Sequence, residues 1–115
     1  MPFDIEQIGQ QIAAAIIASL KTDSAKVAAL AEAEGHKLAY SFARIGEMLA
    51  RQQIESGEAE ILARVQKNAS EAVLASLAEV SRVSAGKAVG AALREALGQS
   101  LGEGALAPLL KAIAA

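Results

Sequence analysis

IGEMLARQQIESGEAEILARV, residues 45–65, is the stretch on which the fold turns. At about 100° per residue, Val27, Leu38, Phe42, Ile45 and Leu49 fall on one meridian of a helix, while Ile54, Ile61, Val65, Ala69, Ala72 and Val83 fall about half a turn away. A straight rod with that pattern needs two different partners. A chain that reverses near Gly57 instead brings both stripes to a shared seam, with Gly57 as the left-handed residue that ends the first arm. The hairpin is the simpler solution. Ser56, Gly57 and Glu58 contain no proline to enforce a stop, so the rod stays open as the alternative.

Outward from that stretch, the first arm is predicted over about 24–56 and the second over about 58–84. Gly35 and Gly46 lie inside the first, each costing roughly 1 kcal/mol relative to alanine. That cost is best explained if another backbone passes close to them. The second arm carries Ile61, Leu62, Val65, Ala69, Ala72, Val73, Leu77 and Val80 at helical spacing. Asn68 followed by Glu71 resembles a capping box and permits a second break there.

Before the arms, a helix over about 4–21 has a full start signal: Asp4 as cap, Gln7 three residues on, and Phe3 placed to staple onto Ile8. Ile5, Ile8, Ile12, Ile16 and Leu20 form its bulky face, and Ile12, like Ile45 on the first arm, is expected in the interior. Lys21 suits the negative end of the helix dipole. Thr22, Asp23 and Ser24 then offer a new cap.

After the arms the texture changes. Gly86, Gly90, Gly98, Gly102 and Gly104 are five of the chain's nine glycines. Helices are predicted over about 86–98 and 107–114, the latter with Pro108 in its first turn. Gly86 and Gly90 lie beside the ridge Val89, Leu93, Leu97 and Leu101, which suits a helix packed tightly against a neighbour. Leu106, Leu109, Leu110 and Ile113 give the last helix an adhesive side. Those ten residues form the expected interaction surface. The expected fold is all-α: one helical domain over 1–115, a long antiparallel hairpin flanked by an N-terminal helix and Gly-rich C-terminal helices.

Composition narrows the interior. Hydrophobic residues make up 53% of the chain, yet 28 residues are alanine and only 3% are aromatic, so bulky side chains are few. Leu, Ile and Val ridges must meet alanine grooves, which draws helix axes together. Eleven basic and thirteen acidic residues interleave to a net charge of −2. That balance lacks the basic stripe a nucleic acid requires, and no nucleic-acid partner is expected. The absence of cysteine removes disulfides, thiolate metal sites and thiol catalysis.

Catalytic signatures are absent as well. Glu32 and His36 share a helix face, but the repeated Glu-x-x-His spacing of a di-iron bundle is missing, and the single histidine has no Ser-containing turn beside it. The glycines at 98–104 are followed by neither Lys-Ser nor Lys-Thr, which argues against a phosphate loop. No metal, no cofactor and no enzymatic activity are expected.

Asp4, Glu6 and Gln7 interrupt any leader-like apolar run, and Ile12–Leu20 is too short for the roughly 20 residues of a membrane span. A cytoplasmic or virion-associated location is expected. The preferred reading is a non-enzymatic structural or interaction protein that self-assembles as a homo-oligomer, in the manner of a virion or secretion-apparatus component. The alternative is a membrane-active helical protein using its Gly-rich C-terminal segment, where Gly86 and Gly90 match the small-x-x-x-small pattern.

Overall fold

Capping chemistry decides where each helix begins and ends. The computed structural model describes residues 4–21, 23–77, 79–98, 109 and 111–113, and every regular element among them is helical. The elements are α1 (Ile5–Leu20), α2 (Ala25–Ala50), α3 (Ser56–Ala75) and α4 (Arg82–Gly98). The Asp4 carboxylate accepts from the Gln7 N–H at 3.1 Å and opens α1. Phe3, the expected staple, lies outside the described residues. Lys21 closes α1 in the left-handed region at φ 52°, and the Ser24 hydroxyl accepts from Val27 N–H to open α2.

α2 ends at Ala50, short of the expected 56, and the reason is local. Gln52 takes φ 60°, the Gln52 N–H donates to the Leu49 carbonyl at 3.1 Å, and the Gln53 N–H donates to the Met48 carbonyl at 2.9 Å. This is the Schellman arrangement, with glutamine in the seat usually held by glycine. Gly57 therefore does not end the first arm. It has a negative φ, stands in the first turn of α3, and a Cβ there would meet nothing within 4 Å. Glu58 reaches back to the Glu55 N–H at 3.0 Å and fixes that turn.

α3 also stops earlier than the expected 84. Ser76 turns its hydroxyl onto the Val73 carbonyl at 2.6 Å, and three-residue bonds follow at Ser76 and Leu77. Ser81 then starts α4 by accepting from Ser84 N–H at 3.1 Å, four residues ahead of the expected start. No break occurs at Asn68, which lies within α3. Leu109 and residues 111–113 are helical, and the rest of the expected 107–114 helix lies outside the described residues.

The helices form a ring in which α1 adjoins α2 and α4, and α3 adjoins α2 and α4, with no close backbone approach across either diagonal among the described residues. Ser24 bonds Glu79, Glu34 bonds Ser70 and Ser41 bonds Gln66, so positions rise along α2 as they fall along α3. The core is one cluster. α1 supplies Ile8, Ile12 and Ile16, α2 supplies Val27, Leu38, Phe42 and Ile45, and α4 supplies Val89, Leu93 and Leu97, joined by Leu109 and Ile113. Ile12 and Ile45 are interior, as expected. α3 gives the core little beyond Ala59, Ala63 and Leu74.

The closest approach is between α1 and α2. A Cβ at Gly35 would stand 2.7 Å from the Gly9 carbonyl oxygen and 3.0 Å from the Ala13 nitrogen, both backbone atoms that cannot step aside. Gly35 is thus a backbone contact point. Gly35→Ala is expected to lose stability on balance. Overpacking costs about 1–3 kcal/mol, and the gain in helix propensity returns at most about 1 kcal/mol. Gly57→Ala, with open space around it, should be neutral or stabilising. Urea midpoints of the two variants check the contrast; equal shifts would contradict it.

Candidate functional site

α3 is turned inside out relative to its own amphipathic pattern. Its buried positions are Ala59, Ala63, Lys67, Ser70, Glu71 and Leu74. Its exposed positions include Ile61 at 60%, Val65 at 56% and Leu62 at 39% relative exposure, with Ala69 and Ala72 on the same side. At about 100° per residue the centres of these two faces are about half a turn apart. The second stripe, expected in a shared seam, faces outward, and Val83 at the start of α4 is exposed with it. This corrects the expectation for Ile61, Val65, Ala69, Ala72 and Val83.

Burying a polar face is tolerable here because its groups are paired. Ser70 donates to Glu34 at 3.0 Å, and Glu34, 4% exposed on α2, also pairs with Lys37 at 3.2 Å. One turn further round, Lys67 and Glu71 form a 2.6 Å ion pair whose side chains are both 9% exposed. Arg82 stands 3.9 Å from the other Glu71 oxygen. The outer face, by contrast, carries no charge over four turns, since residues 61, 62, 65, 68, 69, 72, 73 and 76 are all apolar or neutral. Ile61, Leu62 and Val65 are the large apolar side chains exposed on this face.

Comparison with protein-family models, with curated proteins and with solved structures gave no match. The geometry alone therefore carries the functional reading.

Seven of the ten residues expected to form the interaction surface are described. Val89, Gly90, Leu93, Leu97, Leu109 and Ile113 are buried within the chain's own core, and Gly86 is half-buried. Leu101, Leu106 and Leu110 lie outside the described residues. What rests against the two glycines is a pair of α3 side chains: a Cβ at Gly86 would meet Glu71 Oε1 at 3.2 Å, and one at Gly90 would meet Lys67 Cε at 3.7 Å. Gly86, Gly90 and Ile113 thus join Lys67, Glu71, Arg82, Val83, Lys87 and Arg94 around a cleft of about 410 Å³. The i,i+4 spacing of Lys67 and Glu71 was the sequence signal for this pair.

A second concavity of about 410 Å³ lies between α1 and α4, walled by Ala14, Ala15, Ala18, Ala92 and Ala96 and rimmed by Gln11 and Glu95. His36 does not join a ligand cluster; it packs over Gly9, where a Cβ would lie 2.5 Å from its Nδ1. Among the described residues no three His, Asp or Glu side chains are grouped to hold a metal ion, and no helix is long and apolar enough to cross a membrane.

Proposed function

We propose that this chain is a non-enzymatic helical building unit that assembles with further copies of itself. The outward apolar ridge of α3, Ile61, Leu62 and Val65, carries the reading. In it α2 and α3 form the long antiparallel hairpin of the unit, with α1 and α4 as its flanks. The occupant of the ridge is the alanine groove of a second copy. Branched side chains on one helix seat well between alanines on two others, and both surfaces are apolar at their centres.

Ridge and groove lie on different helices, the ridge on α3 and the groove between α1 and α4. A copy that offers its ridge to one neighbour keeps its groove for the next. That is a heterologous contact, which closes into a ring or grows as a filament.

With no native cysteine, Val65→Cys and Ala18→Cys can be combined cleanly. Oxidation of the double variant is expected to give a ladder of disulfide-linked multimers, while neither single variant gives more than a trace of dimer. Efficient dimerisation of Val65→Cys alone would replace head-to-tail contact by ridge on ridge. No linkage in any variant would overturn the proposal.

A further inference from the structure

The cleft between α3 and α4 is positively charged on a chain that is negative overall. Among the described residues, Lys67, Arg82, Lys87 and Arg94 line it against the carboxylate of Glu71, four cations to one anion, where the whole chain carries −2. Glu71 is already committed, since Lys67 holds one of its oxygens at 2.6 Å. Arg82 is 3.9 Å from the other, with its side chain 58% exposed. Among the described residues, no carboxylate lies within ion-pairing distance of Lys87 or Arg94. The Arg94 guanidinium reaches the cleft floor, with Nη1 3.9 Å from where a Gly90 Cβ would stand.

Two glycines open that floor. Gly86 and Gly90 carry no side chain into the space, and the Lys67–Glu71 pair lies across them as a fixed wall. Of the remaining walls, Val83 presents an exposed apolar side chain, and the Ile113 carbonyl oxygen lies 3.8 Å from where a Gly90 Cβ would stand. A volume of about 410 Å³ lies in the range of small-molecule sites.

We propose that this cleft binds a small soluble phosphorylated ligand, with Arg82, Lys87 and Arg94 holding the phosphate and Val83 flanking its organic part. Guanidinium groups match a phosphate bidentately and remain charged at every physiological pH, and an ammonium adds a mobile third contact. Glu71 positions the site. By holding Lys67 and drawing on Arg82 it keeps both cations at the α3 side of the cleft.

Inorganic pyrophosphate is a suitable probe, titrated into the full chain by calorimetry with amide spectra recorded in parallel. Saturable binding is expected, with the largest shifts at Gly86, Lys87, Gly90 and Arg94. The double variant Lys87→Gln, Arg94→Gln, checked for unchanged helicity, should weaken binding about tenfold or more, as loss of charge-assisted contacts requires. A parallel arm offers phosphatidylcholine vesicles containing phosphatidic acid, with and without free pyrophosphate. Binding to pyrophosphate in solution, and its competition with any vesicle binding, supports the proposal. Absence of saturable binding, undiminished binding by the double variant, or binding to vesicles only would overturn it.

Discussion

Phe42→Ala is expected to remove about 3–5 kcal/mol of stability. Phe42 is fully buried on α2 and is the largest of the fully buried side chains. Tyr40 points outward at 57% exposure, so the ring of Phe42 is the only aromatic in the described interior. Around it the core is built from Ile, Leu and Val together with many alanines, among them Ala31, Ala39, Ala59 and Ala63. Alanine has no rotamer with which to fill a hole. The cavity therefore stays open, which places the loss toward the upper part of the range for such truncations. Against a total of about 5–15 kcal/mol for an ordinary domain, the variant should unfold at a much lower urea concentration with an unchanged slope. A loss below about 1 kcal/mol would mean that the ring is not an interior group.

Glu71→Ala is expected to cost about 3–5 kcal/mol, as when a buried pair loses one member. The cost arises less from the lost attraction than from what is left behind: the Lys67 ammonium stays in a site where its side chain is 9% exposed. Arg82 loses its nearest carboxylate at the same time. The double variant Lys67→Met, Glu71→Leu removes both charges and fills the same space with carbon, and its stability should return to that of the parent or exceed it. Urea unfolding of the three proteins checks the set. If Glu71→Ala were within about 0.5 kcal/mol of the parent, as a surface substitution would be, then α3 would present a different face to the bundle.

Local chemistry was legible in the residues and the azimuth of α3 was not. Asp4 and Ser24 read directly as caps, and the isoleucine face of α1 and the Val27, Leu38, Phe42 and Ile45 face of α2 enter the core as their spacing predicts. Gly35 reads correctly as a contact, because only a passing backbone repays a glycine within a helix. Residue type alone points to Gly57 for the end of the first arm. Gln52 makes it instead, since hydrogen bonding to the Met48 and Leu49 carbonyls offsets the strain of a left-handed glutamine.

α3 departs from pattern for a reason that periodicity does not encode. Its apolar stripe is the stronger signal along the helix, yet the opposite face holds Ala59 and Ala63, which allow close approach, and Ser70, Lys67 and Glu71, which find partners on α2 and α4 or on α3 itself. A helix with an apolar face turned outward and a paired polar face turned inward offers two faces for burial, and hydrophobicity alone does not say which is which. The same ambiguity hides the basic cleft. Lys67, Arg82, Lys87 and Arg94 look like solvated surface charges in a one-dimensional reading, and only the crossing of α3 over Gly86 and Gly90 gathers them.

The native mass of the assembly, measured by light scattering at micromolar concentration with and without lipid vesicles, tests the outward face of α3 most directly. Self-assembly through this face requires a mass several times the 11.8 kDa of one chain, unchanged by lipid and reduced to a single chain of full helicity by Val65→Arg. A parent protein that is already a fully helical monomer of 11.8 kDa, or one that leaves solution for the vesicles, would contradict it.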